Sequence, residues 1–106
     1  MEKSLTKFKG IVNDIKARRS MFIFDDSYTS LASFLIGYCL ALKELEDYDV
    51  SMSIQEWLRG KVGTHFSVHW TYYILNHLAK RNEDIAEKVL FELLDEFFNL
   101  KIKELC

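Results

Sequence analysis

Apolar side chains recur at steps of three and four through most of the chain, the period of a helix with one buried face. The first such stretch runs from near Ser4 to about Arg18 and carries Leu5, Phe8, Ile11, Val12 and Ile15. The second is predicted to start after Ser27, Thr29 or Ser30, any of which can cap it. It turns Leu31, Phe34, Leu35, Tyr38, Leu42 and Leu45 inward and ends in the acidic tract Glu44 to Asp49. Ser53-Ile-Gln-Glu56 has the form of a capping box and predicts a short third helix with Trp57 and Leu58, closing near Gly60 to Gly63. A fourth helix is expected over about Ser67 to Leu78, with Trp70, Tyr73, Ile74 and Leu78. Asn82 then caps a fifth, in which Glu83, Asp84 and Glu87 suit the positive end and Lys101 and Lys103 the far end. Ile85, Val89, Leu90, Leu93, Leu94, Phe97 and Phe98 form its apolar face, and Glu92, Asp95 and Glu96 lie opposite, as a solvated surface.

These periods predict an all-α fold, a compact single-domain bundle of about five helices spanning residues 1–106. Composition strengthens that reading. Proline is absent and glycine occurs four times, so the strongest helix breakers are rare, and 49% hydrophobic residues are enough for one core. Gly37 interrupts the second helix and predicts a close approach by another backbone. Cys39 falls in an apolar pattern and is expected as a buried thiol, with Cys106 in a tail; neither suits a disulfide framework or a metal spacing. With no signal-like leader and no apolar run of about 20 residues, the expected location is the cytosol.

The net charge of −2 conceals an asymmetry. Lys3, Lys7, Lys9, Lys16, Arg18 and Arg19 crowd the first stretch against Glu2 and Asp14. Between Asp25 and Asp49 the acids Asp25, Asp26, Glu44, Glu46, Asp47 and Asp49 face only Lys43. Such separation steers charged partners. The pI of about 5.9 argues against direct nucleic-acid binding by the basic stretch, and its apolar face is needed for the core rather than for a membrane surface.

Catalytic patterns are weak. His65 and His69 stand one helical turn apart with His77 further on, but no His-Glu-x-x-His motif and no nearby cysteine complete a zinc site. Neither a nucleophile elbow nor a glycine-rich phosphate loop occurs, and adjacent acids such as Asp25 and Asp26 more often cap or solvate than catalyse. The expectation is a protein without enzymatic activity, cofactor or metal.

Arg18-Arg19-x-Met21-Phe22, Ser30-Leu31-x-x-Phe34-x-x-Gly37-Tyr38, Gln55-Glu56-Trp57-Leu58, Gly63, Ser67-x-x-Trp70, Ile74-Leu75 and Phe91-Glu92-Leu93-Leu94-Asp95-Glu96-Phe97 follow one another in order. The series, over about residues 11–98, resembles a family of small helical bacterial immunity proteins of contact-dependent growth inhibition and polymorphic toxin systems. Two departures stand out: Arg19-Ser20 lacks the proline common there, and Phe24-Asp25-Asp26 replaces a glycine-containing turn. The resemblance implies a cytosolic protein that binds the C-terminal toxin domain of a secreted protein, often a nuclease such as an RNase, and occludes its active site.

Charge clustering, rather than any motif, nominates the toxin-binding residues. Asp25, Asp26, Glu44, Glu46, Asp47 and Asp49 would mimic a polyanion, with Tyr28 and Tyr48 as exposed aromatic anchors. Trp57 and Trp70 are assigned to the core, and Met21, Phe22, Leu31, Phe34 and Gly37 to the joint between the first two helices. Alternatives are a helical adaptor using the same surface and, further off, a metal-dependent hydrolase. The sequence leaves the oligomeric state open.

Overall fold

The 3.6-residue period of the first stretch closes into α1 (Glu2–Arg18), where Leu5, Phe8, Val12 and Ile15 are each no more than 1% exposed. The computed structural model describes residues 2–105. Its other helices are α2 (Tyr28–Glu46), α3 (Val50–Val62), α4 (Trp70–Tyr73) and α5 (Glu83–Leu105). A 3-10 turn, Arg19–Met21, follows α1, and a π-helical turn, Ile74–Leu78, continues α4. No strand occurs among the described residues, so the fold is all-α, with a radius of gyration of 13.2 Å that matches the ~13 Å of a packed 100-residue domain. Cys106 lies outside the described residues.

Helix α1 packs against α2, α3 and α5. At the centre Phe8 meets Phe98 edge-on, ring centroids 5.7 Å apart, and Phe97 meets Trp57 at 5.5 Å. Burying an aromatic ring contributes roughly 1.5–3 kcal/mol, and edge-on pairing adds to it. Trp70 is fully buried, as expected, whereas Trp57 is only half-buried, with Lys61 over its ring. The acidic side of α5 is not simply solvated: Lys16 pairs with Asp95 at 2.5 Å and Lys61 with Glu96 at 2.7 Å, tying α1 and α3 to α5.

Several local expectations need correction. Helix α3 begins at Val50, and its cap is Asp49, whose carboxylate accepts from the Met52 amide at 3.0 Å. Val50, Ile54 and Leu58 form a buried i, i+4, i+8 stripe, and a start at Ser53 would leave Val50 outside it. Ser53 therefore lies inside the helix and its hydroxyl meets that of Tyr48 at 2.5 Å. The end of α3 is as predicted, with Gly63 at φ +73° and its amide donating to Arg59 O.

Helix α4 starts at Trp70, capped by His69. The π turn carries Ala79 N to Ile74 O at 2.9 Å, and Lys80 and Arg81 then both take positive φ, 49° and 67°. Asn82 caps α5 as predicted, accepting from Ile85 N at 3.0 Å.

In α2 the buried stripe is Tyr28, Leu31, Ala32, Leu35, Cys39 and Leu42, rotated from the expected one. Leu45 points outward, and Phe34 and Tyr38 are half-buried on the flank. A Cβ at Gly37 would meet nothing within 4 Å, so the glycine does not admit a neighbouring backbone and nothing in the structure explains it. Met21 is exposed as well. The joint after α1 keeps three of its expected members, Phe22 edge-on to Phe34 at 6.3 Å and fully buried Leu31, and adds buried Ile23.

Candidate protein-binding surface

The eight residues nominated by charge do not form one patch. Helix α2, 19 residues and therefore about 28 Å long, places Asp25, Asp26 and Tyr28 at one end and Glu44 to Asp49 at the other.

The first end is built into the fold. Asp25 accepts from the Ser27 amide at 2.9 Å and from its hydroxyl at 2.8 Å, and these bonds, with help from Ser30 and Arg19, hold its carboxyl below the usual range. Ser27 in turn caps α2 by accepting from Ser30 N at 3.1 Å. Arg19 pairs with Glu87 and donates to Ser27 O at 3.0 Å, locking the loop onto α5. Tyr28 is a correction: it is 2% exposed and cannot serve as a surface anchor. Its amide donates to Glu83 Oε1 and its hydroxyl to Thr71 O, both at 2.7 Å, and burial pushes the phenol well above its usual pKa. Asp26 is exposed, beside the fully exposed Phe24.

The second end is a mixture. Glu46 pairs with Lys7, which holds its carboxyl below the usual range. Asp49 is occupied in capping α3 and lies 3.8 Å from Lys43. Tyr48 is half-buried. Asp47 ends α2 in the left-handed conformation, φ 54°, its amide donating to Lys43 O. Glu44 and Asp47 are exposed and have no ion-pair partner among the described residues.

Apolar residues complete this end. Leu45 is 82% exposed and Leu40 59%, and Met52 of α3 is also exposed. A groove of about 350 Å³ between α1 and α2 is lined by Leu45, Tyr38 and Lys7; a cleft of about 360 Å³ between α2 and α3 is lined by Leu40, Met52 and Asp49. The C-terminal half of α2 is therefore a ridge between two depressions, with leucines on its flanks and carboxylates at its tip.

Deeper in the α2–α3 cleft, Ser51 Oγ lies 3.1 Å from His69 Nε2, a spacing found in nucleophile–base pairs. The surrounding bonds give it another role. His69 Nδ1 accepts from Thr71 N at 3.2 Å in capping α4 and lies 2.8 Å from Thr71 Oγ1, which can donate to it as well; the tautomer that suits both bonds carries its proton on Nε2, toward Ser51. Ser51 Oγ also accepts from Trp70 Nε1 at 2.8 Å. In this tautomer the histidine has no lone pair with which to take the serine proton. Burial lowers the His69 pKa against the opposing pull of Asp49. Cys39 in the same cleft is pushed up to about 12, chiefly by burial, which keeps it a thiol at neutral pH. Among the described residues no group of three or more His, Cys, Asp or Glu side chains is placed to hold a metal, and His65 and His77 are exposed.

No family model, curated protein or solved structure matches the chain.

Among the described residues, no helix is long and apolar enough to cross a membrane. Half of the six bases of the N-terminal stretch are engaged within the protein, since Lys7, Lys16 and Arg19 pair with Glu46, Asp95 and Glu87. Charge counting missed Leu40, Leu45 and Met52. Leu40 follows Ala32 and Ile36 at steps of four, and Leu45 and Met52 also fall within plausible stripes, so nothing in the sequence marks the three as exposed.

Proposed function

We propose that the protein is a stoichiometric immunity protein that binds a basic toxin domain, a nuclease being the expected class, and masks its active site without turnover. The observation that carries this reading is the ridge of α2. Exposed Leu40 and Leu45 flank the unpaired carboxylates of Glu44 and Asp47, joining desolvatable apolar area to charge complementary to a phosphate-binding site. The ordered series from Arg18 to Phe97, which resembles that of immunity proteins, is the sequence reason for the same reading. Asp25 and Tyr28 leave the proposed interface, because their side chains hold the α2 start in place.

Co-expression with a candidate toxin domain, sought in the gene immediately upstream, tests the proposal. Survival of the host and a one-to-one complex on gel filtration are expected; a toxin that kills regardless, with no complex formed, would overturn it. Glu44→Gln combined with Asp47→Asn is the informative variant, because both changes remove charge and asparagine tolerates the left-handed backbone at 47. It should slow association at low salt and approach the parent as salt rises. Asp49 is a poor target, since its loss would uncap α3.

A further inference from the structure

The α2–α3 cleft holds polar capacity that the fold does not use. Gln55 is only 7% exposed, and its Nε2 donates to Val68 O at 2.7 Å. That bond fixes the amide orientation and leaves Oε1, on a residue lining the cleft, solvent-accessible and with no hydrogen bond to another described residue. Ser51, four residues earlier on the same face of α3, is the complement. Its oxygen accepts from Trp70 and from the protonated nitrogen of His69, so its own hydrogen is left for an occupant of the cleft. The two residues together ask for a group that both donates and accepts.

The other walls narrow the choice. Leu40 of α2 and Met52 of α3 both line the cleft, are apolar and are exposed. Lys43 already stands by Asp49, and Arg59 donates to Phe66 O at 2.9 Å with its guanidinium 5.7 Å from the Phe66 ring centroid. A further cation would meet both of these charges, and a carboxylate or phosphate would meet the Gln55 oxygen and Asp49. A neutral aromatic ring suits the remainder: cations favour its face, and the Met52 sulfur favours contact with it.

We propose that this cleft receives a tyrosine side chain of the protein partner, its hydroxyl donating to Gln55 Oε1 and accepting from Ser51, its ring held between Leu40 and Met52. An indole or guanidinium only donates, a phenylalanine does neither, and the volume of about 360 Å³ is ample for one phenol. The inference rests on the reading of this surface as a protein-binding one. It adds an uncharged anchor to the acidic tip, of the residue type that dominates interface energetics when seated in a pocket.

Amide-detected NMR titration of the whole protein with N-acetyl-tyrosinamide is the test. The expected result is saturable shifts at the Gln55 side-chain amide and at Ser51 and Met52, with affinity about threefold to tenfold above that for the phenylalanine and O-methyl-tyrosine amides, the range of one hydrogen bond. Equal affinity for those analogues, tighter binding of N-acetyl-argininamide, or shifts elsewhere would overturn the proposal. Gln55→Met should erase the preference for the hydroxyl. Leu40→Trp, a change at an exposed position with little leverage on folding, should fill the cleft and abolish binding. The titration contains no toxin, so its failure and the failure of the co-expression assay reject different statements.

Discussion

The two ends of α2 carry similar chemistry, acids beside aromatic and apolar residues, and use it in opposite ways. At the start, Asp25, Ser27 and Tyr28 bond to one another's neighbours, to Arg19 and to α5, and the aromatic ring is buried. At the far end Glu44, Asp47, Leu40 and Leu45 face outward. Composition alone does not separate structural from binding acids. What separates them is whether the local backbone offers donors. A loop and a helix N-terminus present free N–H groups that absorb Asp25, while the C-terminal end of a helix presents carbonyls, which leave Glu44 and Asp47 without partners.

That contrast can be broken most sharply by equivalent truncations on one helix. Leu31→Ala, at a fully buried site near the start of α2, should destabilise by about 3 kcal/mol in urea denaturation, whereas Leu45→Ala should stay within about 0.5 kcal/mol. A large loss at Leu45 would mean the ridge is part of the core. Arg19→Ala should cost about 1–2 kcal/mol, less than a fully buried pair because both partners keep some solvent access. Tyr28→Phe keeps the packing and loses only the bond to Thr71 O, for about 1 kcal/mol.

The far end has one structural titration of its own, in His69. Because its folded pKa lies below the ordinary 6.5, the unfolded chain binds this proton more readily. The associated stability is therefore complete above about pH 6.5 and is lost as pH falls through the folded value. Melting temperature should drop between pH 7.5 and 5.5, and His69→Asn, which retains a capping acceptor, should flatten that dependence. The smallest effect is expected for the Glu44→Gln and Asp47→Asn pair, whose melting temperature should match the parent while its association with a basic partner slows.

Much of the architecture was legible in the sequence where one signal acted alone. The face of α1, that of α5 from Val89 onward, the Asn82 cap and the Gly63 stop each rest on a single unambiguous pattern; Ile85, read as part of the α5 face, is 48% exposed, and Ala86 is buried in its place. Misreadings came where two patterns overlapped. Residues 28–45 hold two apolar stripes one position apart, and only tertiary packing chose the one through Tyr28 and Cys39 over the one through Phe34 and Leu45. At residues 49–56 two caps competed, and the stripe Val50–Ile54–Leu58 settled it for Asp49. The ridge was visible as an acidic tract but not as an apolar one, since an exposed leucine looks like a buried one until the opposite face is known. The Ser51–His69–Trp70 arrangement joins residues 18 and 19 positions apart and left no trace in local spacing.

The π turn at Ile74–Leu78 bears on how the chain would answer a change in length. One residue more than an α-helical turn is accommodated there, and the left-handed pair Lys80–Arg81 redirects the chain immediately afterwards. Deleting Asn76 should let the segment relax into ordinary α geometry, with the lost residue absorbed before Asn82 rather than transmitted as a rotation of α5.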